Sequence, residues 1–374
     1  MHPGRWLAAD AAALVVFLAA FGYRTDLLDT APAASCEGVN VSSGSSIQEA
    51  INSHGTGTTF CLSGDYTTSK PIIPKNGDRF VGTGTTNISS TGSGVFSGGK
   101  HVTYNNLGIG PSQGDGLRPG DGSTIRNSTI HGNVKCGITT VANSLVIAGN
   151  DISQNGSPST SPISQACGLK IHGYRGADSG AYSTISGNVV HDNVHTALWV
   201  DCNGHDNVFS GNTVYGNTGV AVSFETSYRN TFSGNTVHDN GFGFKQPAVS
   251  ILDSTDSVVK RNTFTNNYRG LLIWADRRAT LSSPQVGTGC ADTSLAGYVP
   301  SHISVRGNRF TTEQRVGLAP GRVNISAASF DRNCYRVAAD SDANWQLPGD
   351  PTATWTQWRA AGKDPNGIKT TTGC

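Results

Sequence analysis

The chain has 374 residues, a formal charge of +1, 14% charged residues and 47 glycines. This balance gives no electrostatic footprint for a nucleic-acid partner, and no nucleotide loop is complete, because Gly82-Thr-Gly84 lacks its third glycine. Runs of Leu, Glu, Lys and Ala are scarce after residue 35, which excludes a helical bundle, while regularly placed Val, Ile and Phe exclude disorder.

In chain order, Arg5 precedes an apolar run from Ala11 to Phe21, and Ala31-Pro32-Ala33 has the small-x-small form of a cleavage site. Residues 1–35 therefore read as a signal peptide. An uncleaved anchor is the alternative, although the run is short of the roughly 20 residues that span a bilayer. Eight cysteines follow, from Cys36 to Cys374, with no CxxC pair. Their even number and wide scatter suit disulfides in an oxidising compartment rather than zinc. Residues 36–98 form a cap and the first coils, with Ile47, Ala50 and Ile51 giving a short helix its apolar face.

From 99 to 335 one phrase recurs, as in Ile147-Ala-Gly-Asn150-Asp-Ile152, Ile185-Ser-Gly-Asn188-Val-Val190, Phe209-Ser-Gly-Asn212-Thr-Val214 and Phe232-Ser-Gly-Asn235-Thr-Val237. Counted from Asn105, successive copies lie 23, 22, 38, 24, 23, 27 and 46 residues apart. The two long intervals carry insertions at 156–165 and 279–300. A period of 22 to 24 residues predicts an all-β parallel solenoid with three short strands per coil. The motif asparagines are expected at left-handed turns, their side chains hydrogen-bonding from coil to coil. Residues 336–374 read as a closing segment.

These repeats resemble those of the pectate-lyase-like superfamily, and Ser46 to Gly84 and Ala353 to Gly367 are similar to its N-terminal cap and C-terminal closure. The resemblance implies a single-stranded right-handed parallel β-helix that handles polysaccharides. No single catalytic set transfers. The Asp-Asp pair, Gly-His-Gly and Arg-Ile-Lys of polygalacturonases are absent, and the Trp-x-Asp-His of pectate lyases is met only by Trp199-Val-Asp201-Cys202.

Coil geometry suggests the disulfides. Cys136 and Cys167 precede the glycine that opens the same strand in consecutive coils, at a strand spacing of about 4.8 Å. Cys36–Cys61 would tie down the cap and Cys334–Cys374 the tail, leaving Cys202–Cys290 by elimination.

Because strand side chains alternate, aligning the strand after each motif exposes its outward columns. One column carries Arg118, Thr139, Lys170, Trp199, Ser223, Ser250 and Leu272; its neighbour carries His172, Asp201, Glu225, Leu252 and Trp274. Lys170, His172, Asp201 and Glu225 are the expected catalytic groups, since they gather acids and bases on a rigid face. Arg118, Trp199, Tyr228, Arg229 and Trp274 are the expected sugar contacts. In a lyase or epimerase, Lys170 or His172 takes the C5 proton of a uronate whose carboxylate Arg118, Arg229 or a Ca²⁺ on Asp201 and Glu225 neutralises. In a glycosidase, Asp201 and Glu225 form the acid–base pair. The expectation is thus a secreted, monomeric polysaccharide-processing enzyme; the alternative is a non-catalytic adhesin or carbohydrate-binding scaffold. A second outward column, with His131, His191, Tyr215 and His238, reads as ordinary surface because its histidines do not converge.

Overall fold

A computed structural model describes residues 36–160, 165–174, 178–276, 299–311, 316–318, 323–337 and 344–374. The expected signal peptide, Cys290 and residues 279–298 of the second insertion lie outside the described residues.

Inward β-branched and aromatic residues dictate the stacking. Ile125, Ile147, Ile185, Phe209, Phe232, Val259, Val305 and Phe330 sit directly above one another through parallel pairing, all buried. Three such strand columns make the solenoid. Two belong to a 22-stranded sheet and the third is an 11-stranded sheet, among the described residues. The third column closes with an antiparallel hairpin, Trp345–Leu347 against Asp350–Ala353.

Two corners are held by asparagine ladders. In the first, Asn150, Asn188, Asn212, Asn235, Asn262, Asn308 and Asn333 succeed one another, each buried. The backbone N–H and Nδ2 of Asn188 both donate to Asn212 Oδ1, at 3.0 and 2.9 Å. Asn212 repeats this toward Asn235 while its Nδ2 also donates to the Ile185 carbonyl behind it. A second ladder runs through Asn133, Asn155, Asn193, Asn217 and Asn240. The left-handed backbone falls one residue earlier than expected. Gly187, Gly211 and Gly234, at φ of 62° to 65°, take it, and the asparagine is left free to pair. The Gly-Asn phrase thus divides its labour: glycine supplies the positive φ, asparagine the amide.

Both ends are closed. Helix Ile47–Ser53, capped by Ser46, buries Ile47 and Ile51 at the first coil. At the other end Asp364 takes the place of the next asparagine. Its Oδ1 accepts from the Asn333 backbone and Nδ2, and its Oδ2 accepts from Tyr335 and Trp358. Disulfides join Cys36 to Cys61, Cys136 to Cys167 and Cys334 to Cys374, with Cα separations of 5.7, 4.3 and 5.6 Å.

Asn212→Ala would leave the Asn188 backbone N–H without its acceptor and one Nδ2 hydrogen unpaired, the other keeping the Ile147 carbonyl. At about 1–3 kcal/mol for each unsatisfied buried group, the expected loss is about 3 kcal/mol in a denaturant titration. A loss below about 0.5 kcal/mol, the range of an ordinary surface change, would show that the ladder does not hold the stack.

Candidate functional site

The outer face of the 11-stranded sheet carries the aligned columns. Thr139 pairs with Lys170, Lys170 with Trp199, Trp199 with Ser223, and Ser223 with Ser250. In the neighbouring column His172 pairs with Asp201, and Glu225 with Leu252, which pairs with Trp274. Between the outward residues Leu198, Val200, Val222 and Phe224 turn into the core, so each candidate side chain stands on a packed strand.

Lys170 and Asp201 form an ion pair of 2.8 Å, with side chains only 14% and 10% exposed. The Lys170 ammonium also lies 3.6 Å from the centroid of the Trp199 ring. Thr226 donates its hydroxyl to the other Asp201 oxygen at 3.4 Å. Trp199 in turn packs against the Cys136–Cys167 disulfide, so the cross-link forms part of the floor. Its Nε1 is buried without an acceptor among the described residues. Burial holds the His172 imidazole below its ordinary pKa; the Asp201 charge opposes this and Lys170 adds to it. Burial first, then Lys170, lowers His195 in the same way.

Two cavities line up along this face and meet at Lys170. The first, about 380 Å³, is bordered by Arg118, Lys135, Lys170 and His172, with one carboxylate, Asp115. Arg118 Nε donates to Asp115 at 2.7 Å, and Asp115 also accepts from the Cys136 N–H and the Thr139 hydroxyl. Lys135 has no ion pair among the described residues. The second cavity, about 430 Å³, is bordered by Trp199, Asp201, Glu225 and Trp274, with His195 and Gln246 at its edge. Trp274 is held by an Nε1 donation to the Ser250 hydroxyl at 2.9 Å.

The structure thus brings Arg118, Lys170, His172, Trp199, Asp201, Glu225 and Trp274 to one groove. Tyr228 and Arg229 line neither cavity. Tyr228 stacks on buried His205 at 4.6 Å, and Arg229 pairs with Asp206 at 2.6 Å, at a corner beyond the strand ends. A three-residue step past Glu225 carries the chain around the turn, which the column alignment did not extend to. Asp115, Lys135, His195 and Gln246 were missed for the same reason: they stand at strand starts and turns, outside the aligned columns.

Asp201 and Glu225 were the expected calcium ligands. Calcium takes six to eight oxygens, but here Asp201 faces an ammonium and an imidazole. His172, Asp201 and Cys202 are the group with ligand atoms within 4.8 Å of one another among the described residues, yet Cys202 is disulfide-bonded. That donor set does not fit a calcium ion.

Residues 120–286 match the family model of the right handed beta helix region. Its fold is a right-handed parallel β-helix. No curated protein matches it in sequence. Among solved structures, this β-helix is similar to the A-module of mannuronan C-5 epimerase AlgE4 from Azotobacter vinelandii. The two share 13% identity over 78% of this chain and 88% of that one, with a TM-score of 0.53. The AlgE6 A-module from the same organism matches at 14% identity over 87% and 92% of the two chains, TM-score 0.52. The catalytic unit of a GH87 alpha-1,3-glucanase from Streptomyces thermodiastaticus matches at 14% identity over 91% and 69%, TM-score 0.52. These similar structures are polysaccharide-active enzymes; identities this low establish the shared fold alone.

The electrostatics of the pair can be read through His172. Lys170→Met removes a cation and unscreens Asp201, so the His172 pKa is expected to rise; Asp201→Asn should lower it further. Imidazole resonances followed by NMR across pH would check both signs, and no movement in either variant would separate His172 from the pair.

Proposed function

We propose that the groove is the active site of a polysaccharide-processing enzyme that abstracts the C5 proton of a uronate residue, as a lyase or an epimerase. The observation that carries this reading is the junction at Lys170. There a cavity bordered by Arg118, Lys135 and Lys170 meets the His172 imidazole, whose pKa burial lowers. The cations would bind the uronate carboxylate, and neutralising it makes the adjacent C5–H more acidic. Lys170 is engaged as a cation by Asp201, so His172 is the base. His172 takes the C5 proton as the C5–H bond breaks. In a lyase the electron pair then forms the C4=C5 bond, and the C4–O4 bond breaks with its oxygen gaining a proton. In an epimerase a proton returns to C5 from the opposite face. The glycosidase reading is weaker, because Asp201 is engaged in an ion pair with Lys170. The disulfides among the described residues favour an extracellular setting for such an enzyme.

A panel of polyuronates and neutral glycans in deuterated water tests this. Deuterium at C5, or unsaturated product absorbing in the ultraviolet, is expected on a uronate polymer. His172→Ala should cut turnover by about 10²–10⁴-fold, the usual share of a general base. Turnover intact in that variant would remove His172 from the mechanism, and binding without turnover on every glycan would favour the scaffold alternative. The acidic limb of kcat/KM should fall below about pH 6.5, the ordinary histidine value, because the base must be unprotonated and its pKa is lowered.

A further inference from the structure

The second half of the groove is extended by a turn that neighbouring coils lack. Val249 lies nine positions after Asn240, whereas Val222, the register partner of Val249, lies five positions after Asn217. The added turn is fixed by backbone bonds from Phe244 N–H to the Thr218 carbonyl at 2.9 Å and from Gln246 N–H to the Gly241 carbonyl at 3.0 Å. It presents Phe242 and Phe244, 54% and 42% exposed. Phe244 meets the His195 ring edge-on at 5.6 Å, and His195 lies 5.8 Å from Trp199. An unbroken row of rings therefore climbs from the groove floor to its rim. Gln246, on the same turn, borders the cavity directly.

The chemistry of this half differs from that of the first. Its one cation among the described residues, Lys170, is matched by Asp201, and burial, then Lys170, lowers the His195 pKa. Beyond that pair and the Glu225 carboxylate, it offers ring surface from Trp274 and Phe244 with hydrogen-bonding edges. A neutral pyranose fits this, with its C–H face on a ring and its hydroxyls on polar side chains.

We infer that Phe244, on the inserted turn, is the stacking platform of a subsite for a neutral sugar. The groove then reads a mixed glycan, with an acidic residue over the Lys135–Lys170 half and a neutral one beside Trp199 and Phe244. The acidic half of this statement rests on the proposed function; the neutral subsite stands on the aromatic row alone.

Tryptophan fluorescence titrations of the full chain test it with three probes: a homo-uronate hexasaccharide, neutral glucan hexasaccharides and an alternating uronate–neutral hexasaccharide. The wild type should bind the alternating probe most tightly. Phe244→Ala should weaken binding of the alternating and neutral probes by about 10-fold, the scale of one lost ring contact, and leave the homo-uronate unchanged. Phe244→Trp should restore it. Unchanged binding of every probe by Phe244→Ala, an equal loss on the homo-uronate, or no binding of neutral and alternating probes by the wild type would overturn the subsite. If only the uronate probe fails to bind, the acidic-glycan reading falls while the Phe244 effect on the neutral probe still decides this one.

Discussion

A buried asparagine that donates twice to the asparagine one coil above is the contact on which the rest of the molecule depends. Each such residue satisfies its own amide, its neighbour's carbonyl oxygen and a backbone carbonyl below, so no coil can slide without stranding several buried polar groups. The ladder tolerates coils of different length, since its partners are 38, 24, 23, 27 and 46 residues apart. Extra chain is expelled into turns while the strands keep their register. That is how the solenoid acquires an inserted turn at the groove without disturbing the face beneath it.

Fixed register is what makes the groove chemically specific. A one-residue slip in a strand would turn Lys170 and Asp201 into the core and bring their apolar neighbours out. Held in place, the two largely desolvated charges sit against an indole that itself packs on the Cys136–Cys167 disulfide, so their geometry is fixed by the fold. The same confinement acts on His172, because burial lowers its pKa against the opposing Asp201 charge, with Lys170 adding to the effect.

Similar residue types on another face behave differently. His191, Tyr215 and His238 stack with rings nearly parallel, 4.8 and 5.0 Å apart, and His191 is bracketed by Asp151 and Asp192. Tyr228, His205 and Arg229 form a comparable ladder with Asp178 and Asp206. In both, the rings cover each other's faces and the charges pair internally, which spends these groups on coil stacking. The sheet that carries Lys170 is distinguished by concavity and by cations that remain available to a ligand, Lys135 above all.

The sequence by itself determined the solenoid, the ladder and the outward columns, because a repeat fixes register and register fixes which side chains share a face. Lys170, His172 and Asp201 could be set beside one another by counting along strands. It also pointed to the three pairings seen for Cys36, Cys136 and Cys334, since stacked coils bring equivalent positions within disulfide reach. Only the tertiary structure decided what the turns do. Tyr228 and Arg229 leave the groove, while Lys135, His195 and Phe244 enter its lining or rim, since turn conformation is set by local φ and by contacts across coils, not by strand periodicity. The left-handed position likewise moved from asparagine to the glycine before it, a choice made by the geometry of a buried amide that must face its neighbour.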